Sequence, residues 1–275
     1  MKTGITPFAN DCFAFAAMAQ KLIPLQNQYE IEFHDLEKLN QQALSNGADL
    51  LKVSFNILPG ISDEYQLLPV GSCLGYDNGP KIIAGSSFKL SDLNQKSIGI
   101  PGKNTTAYML LRIFAPEAKL EVECPYHELI PKVKSGDLDC ALVIHESRFQ
   151  LAEFGVEEIG DLFDLWSRET NSPLPLGGIV ARRSLGPETL KSVTRDLQNS
   201  LSYADSHKDQ ALQFALSHSF KKDLSFVEKN IDLYVNDETR NLTDTGIRSI
   251  QSLMSLGSQA GLIPSAHHDW LFDVH

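Results

Sequence analysis

Short apolar runs alternate with longer amphipathic stretches before Gly186, and this pattern predicts strands that alternate with helices. The clearest run covers residues 140–144, where apolar side chains, most of them branched, follow one another without a break. Such a run is typical of a strand buried on both faces, as in a parallel sheet. Polar residues begin abruptly at His145. Because ligands of open α/β sheets bind beyond the carboxyl ends of the strands, we expect His145 to lie at a ligand-binding edge.

The other strands and helices are predicted from the same periodicities, together with capping and turn residues. Strands are expected at residues 2–6, 29–33, 49–53, 66–70, 81–84, 97–100, 119–122, 157–159 and 177–181. Helices are expected at residues 12–22, 36–44, 106–114, 127–134 and 162–170, and then at 188–206, 208–217, 224–234 and 244–260. Asn10 and Asp11 are expected to cap the first helix, and Asp35 the second.

The order of these elements predicts a two-lobed α/β protein. Strands and helices alternate in an opening block and again in a middle block, and helices dominate the end of the chain. We expect residues 1–84 and 181–275 to form one large α/β lobe, with residues 85–180 inserted as a smaller α/β lobe. The carboxyl ends of strands from both lobes would then face a cleft between the lobes, where a small ligand binds.

Composition narrows the possible partners. The 275 residues carry a formal net charge of −11, and 42% of them are hydrophobic, as in a soluble globular protein with a sizeable core. An acidic surface disfavours nucleic acid and anionic membranes as partners. No apolar run approaches the roughly 20 residues of a membrane span, and the N-terminus has no secretory-signal pattern. We therefore expect a small-molecule partner and, if the chain is complete, a cytoplasmic location.

The cysteines and histidines form no pattern typical of a metal site. The four cysteines are widely separated, at Cys12, Cys73, Cys124 and Cys140. This spacing predicts buried thiols rather than a disulfide framework or a zinc site. His267 and His268 are adjacent, and adjacent residues of a helix do not point at one ion, which favours a solvated tail. We expect no metal.

The junction between the strand at 97–100 and the following helix is a candidate anion site. Asn104, Thr105 and Thr106 follow Pro101-Gly102-Lys103 at this junction. Free backbone N–H groups and the helix dipole suit a carboxylate or phosphate at such a place. An ordinary helix cap is the alternative. The segment is not a Walker loop, because the Gly-Lys-Ser/Thr ending is absent.

Four other polar residues have both a functional and a structural interpretation. Asn10 and Ser54 follow predicted strands and are either ligand contacts or helix caps. His145 suits a general base, or else bonds to backbone at the end of its strand. Arg148 lies in a segment that, on its own, favours the start of a helix.

Seven spaced motifs of this chain occur in the same order in one enzyme family. They are Thr6-Pro7-Phe8-Ala9-Asn10-Asp11, Lys52-Val53-Ser54, Gly75-x-Asp77-x-Gly79-Pro80, Pro101-Gly102-Lys103-Asn104-Thr105-Thr106-Ala107-Tyr108, His145-Glu146-Ser147-Arg148, Leu174-Pro175-Leu176-Gly177-Gly178 and Tyr234-Val235-Asn236. Through them the chain resembles the 1,4-dihydroxy-6-naphthoate synthases of the futalosine route to menaquinone. The combination of Gly-Lys-Asn-Thr-Thr-Ala-Tyr with Ile-His-Glu-Ser-Arg is the specific part. One departure is Phe8-Ala9, where the family usually has Cys-Pro.

The resemblance implies a fold like that of type II periplasmic binding proteins and a lyase that needs no cofactor. The implied substrate is cyclic dehypoxanthinylfutalosine, and the family's catalytic base falls on His145. The family's threonine pair falls on Thr105 and Thr106, and its loop serine on Ser54, so these side chains are implied to lie in the substrate cleft. Three further residues are expected to bind the substrate: Asn10, Asn104 and Arg148. The protein is expected to be a monomer or a homodimer.

The chemistry of the implied reaction agrees with these residues. The substrate carries an aromatic carboxylate and sugar hydroxyls, and a helix N-terminus with two threonine hydroxyls offers hydrogen-bond donors to either group. A positioned imidazole can remove a proton next to a carbonyl or hydroxyl carbon without a metal or cofactor. Aromatisation of the product supplies the driving force.

Two alternatives stay open. Chorismate dehydratase is implied to share the fold and the pathway, but that family lacks the His-Glu-Ser-Arg motif, so His145 argues against it. A solute-binding protein without catalysis is the second alternative. Such proteins normally carry a secretion signal, and the N-terminus of this chain shows none.

Overall fold

The computed structural model describes residues 1–144, 151–219, 222–264 and 269–273. Its strands are β1 (Lys2–Ile5), β2 (Glu30–Phe33), β3 (Leu50–Ser54), β4 (Tyr65–Leu67), β5 (Cys73–Gly75), β6 (Lys81–Ala84), β7 (Ser97–Ile100), β8 (Leu120–Glu123), β9 (Cys140–Val143), β10 (Glu157–Asp161) and β11 (Leu174–Arg182). Its α-helices are α1 (Ala9–Ala19), α2 (Leu36–Leu44), α3 (Leu58–Ile61), α4 (Thr106–Phe114), α5 (Tyr126–Ser135), α6 (Leu151–Phe154), α7 (Leu162–Thr170), α8 (Pro187–Ser206), α9 (Lys208–His218), α10 (Leu224–Tyr234), α11 (Asp237–Arg240) and α12 (Asp244–Gln259).

The described strands form two separate sheets, one for each lobe. The first has the order β2-β1-β3-β11-β4, with β5 also paired to β11. β1 runs parallel to β2 and β3, whereas β11 runs antiparallel to β3, with Gly177 opposite Ser54. The second sheet has the order β10-β6-β9-β7-β8. The two-lobed α/β fold predicted from the sequence is therefore confirmed.

Strand β9 lies at the centre of the second sheet, parallel to β7 and antiparallel to β6. All its residues are buried. Cys140 and Leu142 pack into a core shared with the first lobe, and Ala141 and Val143 pack into a cluster with α5 on the other face. The prediction of a strand buried on both faces is confirmed. Burial also raises the pKa of the Cys140 thiol to about 12, and all four cysteines are buried, as predicted.

Two strands differ from the predicted lobe boundaries. Residues 81–84 were placed in the large lobe, but β6 pairs with β9 and β10 in the second sheet. The chain therefore leaves the first sheet in the turn between β5 and β6, and not near residues 84–87. It returns by β11, which begins at Leu174 and pairs only with strands of the first sheet. Apolar patterning identifies strands but does not show which distant strands they join, which explains both errors.

Helix α1 begins earlier than predicted. It starts at Ala9, with Phe8 as its N-cap residue, so Asn10 and Asp11 lie inside its first turn and do not cap it. The helix is buried along nearly all its length, because it packs between the first sheet and α8, α9 and α10. The predicted cap of α2 is confirmed, since the Asp35 side chain accepts a hydrogen bond from the backbone N–H of Glu37.

The two lobes share one apolar core. A single cluster runs from Leu51 and Val53 of the first sheet to Ile82 and Ile98 of the second. Helix α12 contributes Leu253 to the same cluster and packs on both β11 and α4. No helix in the described ranges is long and apolar enough to cross a membrane.

A buried ion pair lies in the first lobe. The Lys52 Nζ is 2.8 Å from Asp11 Oδ1, and both side chains are almost fully buried. Thr6 donates to the other Asp11 oxygen at 2.5 Å, and Lys52 also donates to the carbonyl of Gly71. The ammonium and the carboxylate thus each have several partners, as a buried charge requires.

We expect Lys52→Met to destabilise the protein by about 3–5 kcal/mol, because it leaves Asp11 as a buried charge without its cation. Urea unfolding of the purified protein measures this change. Lys191→Met is the matched control, because Lys191 forms only a surface ion pair with Glu188 and its loss costs at most about 1 kcal/mol. Equal unfolding free energies for the two variants would contradict the assignment.

Candidate functional site

A cavity lies where the carboxyl ends of strands from both sheets meet. Its described wall consists of Leu36, Ser54, Pro80, Thr105, Thr106, Ala107, Ile144, Leu176 and Tyr234. Ser54 ends β3, Ile144 follows β9, and the threonines follow β7 by one short loop. The structure thus brings together three of the residues expected to bind substrate: Ser54, Thr105 and Thr106.

The two threonines use their hydroxyl groups to build the site. Thr105 is the N-cap of α4: its hydroxyl accepts from the backbone N–H of Tyr108 and donates to the carbonyl of Gly102 at 2.8 Å. The Thr106 hydroxyl donates to the carbonyl of Leu176 at 2.6 Å. Both hydroxyl protons are therefore committed to backbone oxygens. Both residues line the cavity, and a substrate contact by either hydroxyl stays a prediction.

The free donors at this place are backbone amides. The first N–H groups of a helix have no partner within the helix. Within the described ranges, the N–H groups of Thr106 and Ala107 have no hydrogen-bond acceptor, and both residues line the cavity. Together with the dipole of α4 they form the kind of helix N-terminus that binds carboxylates.

Ser54 supplies a hydroxyl to the same cavity. Its backbone N–H donates to Asn40 Oδ1 at 2.9 Å, and its Oγ accepts from Asn40 Nδ2 at 3.1 Å. The side chain is thus held in one orientation by Asn40. In the described part of the chain the Ser54 hydroxyl proton has no acceptor, so it can donate to a ligand in the cavity.

Asn104 connects the two lobes through hydrogen bonds. Its side-chain amide donates to Glu37 Oε1 at 2.5 Å, and its backbone N–H donates to Glu37 Oε2 at 3.1 Å. Its carbonyl accepts from Asn40 Nδ2 at 3.0 Å. Asn104 therefore connects the loop before α4 to α2 of the other lobe. The described wall does not include it as a ligand contact.

Asn10 is likewise absent from the described wall of this cavity. It is buried in the first turn of α1, and its side-chain amide donates to Asp11 Oδ1 at 2.9 Å. Asn10 thus belongs to the polar cluster around the Asp11–Lys52 ion pair. A substrate contact by Asn10 stays a prediction.

His145 and Arg148 lie outside the described residues. The chain is described up to Ile144, which lines the cavity. The roles predicted for both residues rest on the sequence.

Burial changes the acidity of two carboxyl groups on α2 and its cap. Burial raises the pKa of Glu37, and the hydrogen bonds from Asn104 act in the opposite direction. Burial also raises the pKa of Asp35, with the Glu37 N–H and the charge of His127 acting against it. Both carboxyl groups line a cavity together with Pro101, which belongs to the loop between β7 and α4. The charge near that loop therefore depends on how well these carboxylates are hydrogen-bonded.

An aromatic contact also joins the lobes at Phe8. The Phe8 ring packs edge to face on Tyr126 of α5, with ring centroids 5.2 Å apart. Phe8 is one of the two residues at which the first motif departs from the related family, and it is buried. The departure therefore provides a contact with the second lobe.

The sequence did not predict Glu37 and Asn40 as parts of the site, or that Tyr234 lines the cavity. Both Glu37 and Asn40 lie on α2, where they are buried among Leu36, Leu39 and Ala43. A polar residue within the apolar stripe of an amphipathic helix is the signal that identifies such positions. Tyr234 belonged to a recognised motif, but nothing in the sequence showed which way its ring points.

Comparison with known proteins identifies a family and two relatives that match nearly the whole chain. A family model described as menaquinone biosynthesis matches residues 1–259. The 1,4-dihydroxy-6-naphthoate synthase of Streptomyces coelicolor is 32% identical over 276 residues, with 98% of this chain and 97% of that protein covered. The enzyme of the same name from Thermus thermophilus is 31% identical over 262 residues, with 95% of each covered.

Solved structures confirm the fold class. A crystal structure of a protein from Archaeoglobus fulgidus matches with a TM-score of 0.91 and 30% identity, covering 95% of this chain and 98% of that one. The ligand-binding component of an ABC-type import system from Staphylococcus aureus matches with a TM-score of 0.71 and 16% identity, covering 98% of this chain and 95% of that one. The second likeness concerns the fold alone, which is the two-lobed fold of periplasmic binding proteins.

Proposed function

Because the chain belongs to the menaquinone-biosynthesis family, we propose that it is a lyase that converts cyclic dehypoxanthinylfutalosine to 1,4-dihydroxy-6-naphthoate. Two relatives bear the name of that synthase, at 32% and 31% identity over nearly the whole chain. The observation that carries the proposal is one cavity lined by Ser54, the first turn of α4 and Ile144. Each belongs to, or directly precedes, one of the motifs through which the sequence resembles the 1,4-dihydroxy-6-naphthoate synthases.

The cavity offers separate partners to the two polar ends of this substrate. The free amides of Thr106 and Ala107 suit its aromatic carboxylate, because they converge at the positive end of the α4 dipole. The Ser54 hydroxyl, held by Asn40, suits a sugar hydroxyl or carbonyl oxygen. Leu36, Leu176 and Tyr234 supply the apolar wall that an aromatic ring requires.

His145 is the general base in this proposal. It is peptide-bonded to Ile144, which lines the cavity. Its imidazole takes the proton whose removal opens the spiro ring, and a proton is returned to the oxygen of the sugar-derived fragment, which leaves as the ring system aromatises. Proton transfers alone account for these steps, so we propose a reaction without a cofactor. Arg148, Asn104 and Asn10 stay proposed substrate contacts.

The remaining parts of the proposal concern where and with what the protein acts. We propose a cytoplasmic enzyme, a monomer or a homodimer, whose partner is the small-molecule substrate. Neither nucleic acid nor membrane is part of the proposal, because the net charge of −11 repels both phosphate backbones and anionic lipid.

We expect the purified protein to release a naphthoate chromophore from cyclic dehypoxanthinylfutalosine. Absorbance spectroscopy follows the product directly. Chorismate, tested in parallel, should not be consumed. Consumption of chorismate would favour the dehydratase, and binding of the futalosine-derived compound without any product would favour a solute-binding protein.

The amide site can be tested at position 106 with a matched pair of variants. Thr106→Val removes the hydroxyl bond to Leu176, and Thr106→Pro removes that bond and the backbone N–H as well. Proline is tolerated at the first position of a helix, and Thr105 already has the extended conformation that a following proline favours.

We expect Thr106→Val, and likewise Thr105→Ala, to lower kcat/KM at least about tenfold, because each loses a hydrogen bond that shapes the site. Thr106→Pro should lose about a further tenfold, because it also lacks a charge-assisted donor to the carboxylate. Steady-state kinetics on the three folded variants gives these ratios. Equal kcat/KM values for Thr106→Val and Thr106→Pro would show that the Thr106 amide does not bind the substrate.

His145→Asn should lose at least about 10²–10⁴-fold in turnover while the protein stays folded and still binds ligand. The activity of the unsubstituted enzyme should rise with pH through an ionisation near the ordinary histidine value of about 6.5, because only the neutral imidazole accepts a proton. Turnover per folded molecule, measured together with the melting temperature, distinguishes a catalytic role of His145 from a structural one. Near-normal turnover in His145→Asn would exclude this residue from the mechanism.

A further inference from the structure

We infer that Glu37 is a positioning residue for the proposed reaction: it fixes the Asn104 peptide so that the amides at the start of α4 face the cavity. The inference rests on the proposed function, because that function assigns the substrate carboxylate to those amides. Glu37 itself touches Asn104 and not the described cavity wall. Its effect on the reaction therefore passes through the loop.

The Glu37 carboxylate holds Asn104 at two points. One oxygen accepts from the Asn104 backbone N–H at 3.1 Å, and the other accepts from its side-chain amide at 2.5 Å. Glu37 lies on α2 of the first lobe and Asn104 on the loop that follows β7 of the second. The pair is therefore a two-point bridge between the lobes, directly before the cap residue of α4.

Asn40 completes the clamp one turn further along α2. Its side-chain amide donates to the Asn104 carbonyl at 3.0 Å and to the Ser54 hydroxyl oxygen at 3.1 Å. Residues three apart on a helix lie on the same face, so Glu37 and Asn40 reach the N–H and the C=O of the same residue. The two ligand-binding groups of the cavity, Ser54 and the α4 N-terminus, are thus set from one helix.

The Glu37 carboxylate can come close to the loop because residue 102 is a glycine. Gly102 has φ +143°, and a Cβ placed on it would lie 2.2 Å from Glu37 Oε2. Only glycine therefore combines this backbone conformation with the close approach of the carboxylate. Glu37 also lines, together with Pro101, a second cavity of about 530 Å³.

The charge of Glu37 argues for a role beyond stability. Its side chain is buried, and among the described residues no cationic nitrogen lies within ion-pair distance of it. Its carboxylate accepts from Asn104 of the other lobe and, at 3.3 Å, from the side-chain amide of Gln41 on its own helix, and burial still raises its pKa. A neutral side chain at this position would avoid the desolvation of a carboxylate, but it could not accept from both Asn104 donors at once.

The test is a double-mutant cycle of Glu37→Gln and Asn104→Ala, with Lys38→Gln as the control. Glutamine keeps the size of Glu37 but places an NH₂ group against one of the two donors. Lys38 is the exposed neighbour on the same helix, and among the residues that the structure describes its ammonium bonds to the His34 ring. Steady-state kinetics and melting temperatures are measured for all four variants, including the double.

We expect Glu37→Gln to lower kcat/KM about tenfold or more, mainly through KM, because the bridge is a charge-assisted hydrogen-bond pair. The melting temperature should stay close to that of the unsubstituted protein, because removal of a buried charge offsets the lost bonds. The double variant should be no worse than the poorer single variant, because both act on one link. A kcat/KM for Glu37→Gln within about twofold of the Lys38→Gln value, or multiplicative effects in the double variant, would overturn the inference.

A second measurement separates this inference from the proposed function. Binding of 2-naphthoate, an aromatic carboxylate, is followed by calorimetry together with hydrogen exchange at the Asn104 amide. Glu37→Gln should weaken binding about tenfold and speed that exchange, whereas Lys38→Gln changes neither. If Glu37→Gln shows both responses but the unsubstituted protein shows no turnover, the proposed function is wrong and the positioning role stands. If turnover is present and neither response occurs, the positioning role is wrong.

Discussion

The pairing of the backbone polar groups of one partly buried loop constrains how the two lobes come together. The loop between β7 and α4 belongs to the second sheet, but the first lobe satisfies its backbone: Glu37 takes the Asn104 N–H, and Asn40 and Asn56 donate to the carbonyls of Asn104 and Lys103. Unpaired buried backbone groups are costly. The arrangement that satisfies this loop is also the one that places the free amides of α4 opposite Ser54.

Strand β11 makes this arrangement possible from the other side. It runs beside β3 for most of its length, and its Leu176 carbonyl receives the Thr106 hydroxyl. A Cβ on Gly177 would lie 2.4 Å from the Val53 carbonyl oxygen, so glycine is required where the two strands approach so closely. The chain thus returns from the second lobe through a strand that joins β3 to β4 and β5 in the first sheet and also holds the N-terminus of α4.

Local sequence patterns predicted which residues form strands and helices better than they predicted which strands pair with each other. The cap at Asp35, the helix at α7, the buried strand β9 and the helical end of the chain follow from nearby residues, and the structure confirms them. The sheet to which β6 belongs depends on β9 and β10, which lie more than fifty residues away. The same limit applies to the site. The motifs identified Ser54 and the threonine pair, but the use of the Thr106 hydroxyl depends on Leu176, seventy residues later.

The first lobe contains two buried carboxylates whose partners differ in a way that matters for binding. Asp11 is neutralised by Lys52 and Thr6 of its own lobe, so its environment does not depend on the second lobe. Glu37 has its Asn104 donors in the second lobe. If the lobes separate, water replaces those donors and the carboxylate regains its hydration. Desolvation opposes closure and the two hydrogen bonds favour it, so this contact is close to balanced. A bridge of this kind therefore orders the loop while adding little to the free energy that holds the two lobes together.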